Sequence, residues 1–442
     1  MFIHKTKIVA LVAATILALP AFSAELYVNG NSGNNRNDGS KSAPLKNIQK
    51  AIDNAANGDT IYVAEGNYFG TLNKGNIIVS KPVKIMGGYS ADFSKRDILK
   101  YKTLVQPTPE SNGTASGQGT IQITATVAGD VVLDGLLIDR GNSIAYNASG
   151  DGKPSGVESP MMQPIGGSGI GGADLKTQNV HTTETAEVYI GNPACNITIR
   201  NCAFVNAPNY GIMGTSKTDI KIENCIFINC RMAAVQVRGG RADSQKNIRI
   251  DFKNNTILFA WARLRDMGDM GYGFRYMNGA DSYVEGNIIG LTTFSGLDRA
   301  YVETSKAKEA QKITTAKNNL FFLCKQGDLT LPGGGMFMRI NVDDFDDVEQ
   351  FAEVSGNISL KDPKVFKGKL DNAYLNGFLS ASYKEKTDFD PNSPANTFRQ
   401  AMGMNMVGTM QSSVTMFANR YPFEKALVLF GAVKGYGAQL PK

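Results

Sequence analysis

Lys253-Asn254-Asn255-Thr256-Ile257, Glu285-Gly286-Asn287-Ile288-Ile289 and Lys317-Asn318-Asn319-Leu320-Phe321 are one phrase written three times: a polar residue, an Asn or Gly turn, then apolar residues. Arg200-Asn201-Cys202-Ala203-Phe204 and Glu223-Asn224-Cys225-Ile226-Phe227 precede it, and Ser355-Gly356-Asn357-Ile358-Ser359 follows. The steps between copies are 23, 30, 32, 32 and 38 residues. A period of this size that drifts is the mark of a solenoid, because each unit stacks only on its neighbours and tolerates insertions in its outer loops. Alternation at Ile197 and Ile199, and again at Ile220 and Ile222, predicts strands ahead of the turn. Asn accepts the left-handed conformation and bonds local backbone, so the same turn can recur coil after coil. An earlier coil is visible from Val131 to Ile138, where Asp134-Gly135-Leu136 replaces the Asn phrase.

Working outward toward the N-terminus, Ile48, Ile52 and Ala55 recur at helical spacing, with Ser42 ahead of Pro44 as the expected cap and Asn57-Gly58 as the stop. Ile61 and Val63 then alternate as a strand. This block, with Met86-Gly87-Gly88-Tyr89-Ser90-Ala91-Asp92-Phe93, resembles the N-terminal cap of bacterial right-handed parallel β-helix proteins of the pectate-lyase-like superfamily. The resemblance extends through most of residues 25–370. It implies an all-β, right-handed parallel β-helix solenoid with a short N-terminal capping helix and a C-terminal cap. The same cap precedes lyases, hydrolases and proteins with no known catalysis, so it implies the fold more than an activity.

The division expected is a signal peptide over 1–24, the β-helix over 25–370 and a C-terminal capping segment over 371–442. Within the β-helix, 25–70 form the cap region and 141–180 a long loop insertion. The leader carries Lys5 and Lys7, an apolar run from Ile8 to Pro20 and small residues at Ala21, Ser23 and Ala24, which predicts a secreted or periplasmic protein. No later apolar run approaches the roughly 18 residues that span a bilayer, so no membrane insertion is expected. Removing the leader lowers the formal charge from +6 to +4 and leaves His181 as the remaining histidine. So mild a balance gives no basic footprint for nucleic acid, and one histidine rules out multi-histidine zinc sites. The five cysteines, Cys195, Cys202, Cys225, Cys230 and Cys324, have no Cys-x-x-Cys spacing, and Cys202 and Cys225 share one repeat position as an inward stacked pair.

The repeats also serve as a ruler. A small residue stands nine places after the second residue of the phrase in three coils: Gly211, Ala234 and Gly296. The Asn255 coil reaches its equivalent Gly273-Phe274 late, so Arg263 to Gly271 hold an insertion. With Ile212, Val235, Phe274 and Leu297 inward, alternation sends Met213, Gln236, Arg275 and Asp298 outward, followed by Thr215, Arg238, Met277 and Ala300. Coils stack about 4.8 Å apart, so Arg238, Arg275 and Asp298 can share a patch beside Lys217.

That set suits an acidic polysaccharide bound by a monomer. A lyase neutralises a uronate carboxylate, removes the C5 proton and assists departure of the glycosidic oxygen; arginine forks or Ca²⁺ stabilise the enediolate. The catalytic candidates are Lys217, Arg238, Arg275 and Tyr276, since a neutral lysine or tyrosine is the easier proton acceptor. Lysine or arginine at the base position is what the β-helix lyase resemblance implies. Gln236, Arg263, Arg265, Trp261 and Tyr272 are candidate substrate contacts, and Asp266, Asp269 and Asp298 candidate Ca²⁺ ligands. The alternatives are a non-catalytic surface or matrix protein that binds glycans, and a glycoside hydrolase, which needs converging carboxylates.

Overall fold

The computed structural model describes residues 23–73, 75–106, 119–139, 186–207, 210–240, 246–261, 271–277, 279–299, 315–324, 327–333, 336–348, 351–372, 374–375 and 421–441. At 231, 261, 332–333 and 336–339 the backbone alone is described. Residues 1–22 of the expected signal peptide and the expected 141–180 insertion lie outside these residues.

Among the described residues, three sheets of ten, nine and nine strands run side by side. Sheet I contains Asn196–Arg200, Ile220–Glu223, Ile248–Lys253 and Ala280–Glu285; sheet II contains Ala203–Val205, Ile226–Arg231, Thr256–Trp261 and Ile288–Thr292; sheet III contains Tyr210–Ser216, Ala233–Gly239, Tyr272–Tyr276 and Ser295–Arg299. Each coil visits sheets I, II and III in turn, and its strands pair in parallel with the coils before and after. The exception is the terminal hairpin of Gly327–Gly333 with Met336–Ile340, which is antiparallel. This is a right-handed parallel β-helix.

The Asn phrase makes two ladders, one at each of its central residues. The first residue turns the chain from sheet I to sheet II in the left-handed region: φ is 53° at Asn201 and Asn224, 52° at Asn254 and 53° at Asn318, with Gly286 and Gly356 in equivalent places. Gly135 opens the same series at φ 71°. Beside it, buried Asp134 binds Arg96 at 2.6 Å, Arg200 at 2.7 Å and Asn201 at 2.9 Å. The second residue points inward. Asn255, Asn287 and Asn319 are fully buried, and each amide oxygen accepts the backbone N–H one coil earlier while its nitrogen donates to a sheet I carbonyl. Cys202 and Cys225 hold the same rung as buried thiols bonding the carbonyls of Leu133 and Ile199.

The capping helix spans Ile48–Asn54 and buries Ile48, Ala51 and Ile52 over the first coils. Its N-cap is Asn47, not Ser42: Asn35 accepts the N–H groups of Lys46 and Asn47 and fixes the chain's entry. The opposite end is closed by the 3₁₀ segment Val342–Asp347, which inserts Phe345 at 0% exposure into the interior. The segment 371–442, expected as a C-terminal cap, is described at 371–372, 374–375 and 421–441. The described parts of that segment lie along the outer face of sheet II, where Leu370, Tyr374, Tyr421, Leu427 and Phe430 pack on Val205, Ile228, Leu258, Phe259 and Ile288. Sheet II is apolar on both faces, as strands buried on both sides are, and this strap is what covers it. Tyr421 exchanges two hydrogen bonds with Asn206, and Tyr374 Oη donates to Asn229 at 2.5 Å. Gly437 passes so close that a Cβ would lie 2.4 Å from Thr256 Oγ1.

Candidate functional site

Sheet III carries the site, and its register fixes which side chains share a face. Ile212, Val235, Phe274 and Leu297 are paired in sequence along one column and are fully buried in the interior. The outward column reads Gln122, Tyr189, Met213, Gln236, Arg275, Asp298 and Thr330. The small residues that served as a ruler are required where the chain enters this sheet. A Cβ on Gly211 would stand 2.7 Å from the Ala234 carbonyl and 2.8 Å from the Phe227 ring.

Arg275 and Asp298 meet, as the alignment predicts, with Nε 2.9 Å from Oδ2 and side-chain exposures of 17% and 2%. The two side chains form an ion pair. The guanidinium also lies 4.3 Å from the centre of the Tyr272 ring and 3.5 Å from Gln236 Oε1. Thr330 donates to the other Asp298 oxygen at 2.5 Å and reaches Ser295 at 2.9 Å. Burial pushes the Asp298 carboxyl up to about 6, with Arg275 and Thr330 opposing the shift. Asp298 is thus a partner of Arg275, sealed beneath the surface. Among the described residues no three His, Cys, Asp or Glu side chains gather as a metal site. Asp266 and Asp269, the other two candidate ligands, lie outside those residues, as do Arg263 and Arg265.

Arg238 stands two residues along from Gln236, exposed, with its Nε donating to Thr215 Oγ1 at 2.8 Å on the preceding coil. Lys217 is exposed just past the strand end, in the turn that Ser216 holds by bonding Thr218. Among the described residues these two cations and Arg275 supply accessible positive charge on the face.

The tyrosines are different. Tyr276 is 1% exposed and points into the solenoid among core residues, where no described group bonds its hydroxyl and burial raises its pKa far above that of a free phenol. Its place in the catalytic set is corrected: two residues beyond inward Phe274, the alternation that turns Arg275 out turns Tyr276 in. Tyr272 is also 1% exposed and packs with Tyr210, Ala233 and Phe294 beneath Arg275, so it supports the guanidinium instead of meeting substrate. Trp261 ends its sheet II strand, paired with Arg231; its side chain lies outside the described set.

Two features escaped the sequence reading. Tyr189 and Gln122 extend the outward column through the coils before Met213, and only the strand pairing across the long insertion reveals it. Arg299 follows Asp298 and aligns with Tyr276, so it turns inward; burial draws its guanidinium below the usual pKa, opposed by Tyr276 and Asp281. Continued alternation past Leu297 would have found it.

The chain is a right-handed parallel β-helix protein. Residues 177–344 match the family described as right handed beta helix region. No curated protein matches the sequence. Among solved structures the chain is similar to pectin methylesterase PemA from Erwinia chrysanthemi, at 12% identity over 78% of this chain and 94% of that one, with a TM-score of 0.36. It is similar to a rhamnogalacturonan lyase at 12% identity over 86% and 99%, TM-score 0.35. A polygalacturonase from Erwinia carotovora ssp. carotovora follows at 13% over 79% and 100%, TM-score 0.30.

Proposed function

We propose that the protein is a carbohydrate-active β-helix that binds an acidic polysaccharide along the outer face of sheet III and cleaves it by β-elimination. The observation that carries this reading is the diagonal row of cations on the outer face of sheet III. Arg275 and exposed Arg238 and Lys217 lie on successive coils of one flat face. Coils about 4.8 Å apart present cations at short, regular steps, which suits a polymer bearing repeated carboxylates. In the reaction, Arg275 and Arg238 neutralise the uronate carboxylate and stabilise the enediolate. Lys217 takes the C5 proton as the C4–O glycosidic bond breaks and the C4–C5 double bond forms, the departing oxygen gaining a proton from solvent. Calcium, held by the acids of the 263–271 insertion, would add to the neutralisation. Action outside the cytoplasm, on a matrix or cell-surface polymer, fits the N-terminal leader.

A second reading is a non-catalytic glycan-binding protein, and the burial of Tyr276 favours it by removing a candidate proton acceptor from the face. Incubating the purified protein with polygalacturonate and with bacterial exopolysaccharides, while following the ultraviolet absorbance of unsaturated uronate ends, decides between them. A rising signal that Lys217→Ala abolishes supports the lyase. Binding with neither new absorbance nor new reducing ends rejects it in favour of the second reading.

A further inference from the structure

A cavity of about 580 Å³ opens at the N-terminal end, between the capping helix, the strand Gly66–Tyr68 and the start of the strand Ile77–Val79. Its size falls within the roughly 300–1,000 Å³ of small-molecule sites. The wall is held rigidly. Asn47 accepts from Asn35 at 2.5 Å and donates to Thr71 at 3.2 Å. Gln49 accepts the Ile78 N–H at 2.7 Å and donates to Asp53 and to the Ile78 carbonyl. Tyr68 is pinned by its hydroxyl, which accepts from Gly30 and donates to Ala64.

Against that fixed wall, three polar side chains remain unspent. The amides of Asn31 and Asn67 and the Lys46 ammonium line the cavity, and none makes a side-chain hydrogen bond or ion pair among the described residues. Asn31 is exposed beside Gly66, so its amide is open to solvent at the cavity mouth. Among the described residues no carboxylate lines the cavity and Lys46 supplies the formal charge, while Tyr68 and Phe69 give it aromatic surface.

We infer that this cavity is a second saccharide site, taking a sugar residue that carries a carboxylate. Amides that donate and accept match vicinal hydroxyls, aromatic carbon matches the apolar face of a pyranose, and one ammonium with no competing acid selects an anion. The site is distinct from the cations of sheet III and stands whether or not that face performs any cleavage.

The test is calorimetry with trigalacturonate as the acidic probe and maltotriose as the neutral one, on the full chain. The Lys217→Ala/Arg238→Ala protein, disabled on sheet III, is expected to retain trigalacturonate binding. Adding Lys46→Ala or Asn67→Ala is expected to weaken it by roughly tenfold or more, the scale of one lost charge-assisted contact. Both residues lack side-chain partners, so an unchanged circular dichroism spectrum accompanies the loss. Maltotriose is expected to bind at least about tenfold more weakly than the acid. The inference is overturned if Lys46→Ala and Asn67→Ala leave affinity unchanged, if maltotriose binds as well as trigalacturonate, or if the sheet III double variant has no affinity. That last result, with wild-type binding intact, leaves the sheet III reading standing.

Discussion

Replacing Asn287 by alanine tests whether the interior amide ladder holds the coils together. Asn287 is fully buried, and its oxygen accepts from the backbone N–H of Asn255 at 2.8 Å and from the Asn255 amide at 3.2 Å. Its nitrogen donates to the Phe252 carbonyl and to Asn319 Oδ1, both at 2.9 Å. Asn287→Ala deletes four bonds and strands at least two backbone groups away from water. At about 1–1.5 kcal/mol for each bond the loss is roughly 4–6 kcal/mol, with the stranded groups weighing more than the mean. Asn357, the last rung and only partly buried, makes bonds of the same kind within reach of solvent; Asn357→Ala should cost about half as much, since water replaces the lost partners. Urea unfolding followed by circular dichroism gives both values, provided the m-value is unchanged. A loss below about 1 kcal/mol at Asn287 would refute the ladder as a source of stability, leaving the apolar stack alone to hold the coils. Asn287→Cys supplies a further check, because Cys225 occupies this rung naturally and bonds the Ile199 carbonyl; it should recover part of the loss.

Arg275→Ala leaves Asp298 buried without its cation and is expected to cost roughly 3–5 kcal/mol, measured by urea midpoint, whereas Arg275→Met with Asp298→Leu should restore most of it. Asp298, pushed up to about 6 by burial, holds its proton in the folded chain where the unfolded chain, near 3.9, has released it. Its contribution therefore favours folding below about pH 4 and is lost as pH rises through about 6, a span of roughly 3 kcal/mol that Asp298→Asn should flatten in midpoints measured from about pH 4 to 7. Tyr374→Phe removes the bond to buried Asn229 and should cost about 1–2 kcal/mol in the same assay, with no effect on polysaccharide binding at sheet III.

Legibility followed the repeat. The Asn phrase gave the coil boundaries and, through alternation, the pairing of Gln236 with Arg275 and of Arg275 with Asp298, because a period of two admits only one answer once inward residues are placed. The same rule contained the fate of Tyr276, yet its chemical suitability as a base outweighed its parity. Tyr272 was less accessible to reasoning: it lies outside the kink at Gly273, where strict alternation breaks, and its burial comes from Phe294 and Tyr210 on neighbouring coils. The strap was hidden for a different reason. Its docking surface consists of sheet II side chains such as Val205, Ile228 and Leu258, and in sequence these look like any strand core. Only Phe259, Leu291 and Leu323, bulky residues at φ 62°, 48° and 50° in the turn that Asn206 and Asn229 make earlier, signal that something apolar must cover them.

The strap has a consequence for how the molecule comes apart. A solenoid behaves as a row of units, each coupled to its neighbours, and can fray from either end. In this chain Glu424 grips Lys102, Tyr421 and Tyr374 grip Asn206 and Asn229, Gln439 bonds Asn224, Gly437 bonds Gly286, and Phe366 packs on Phe322. Coils remote from one another are thereby riveted to a common strip, and fraying of one loosens the hold on the rest. The row is converted into a single cooperative block. Because the rivets lie C-terminal to every coil they hold, coils that have already stacked on the ribosome stay open along one flank until the strap has emerged.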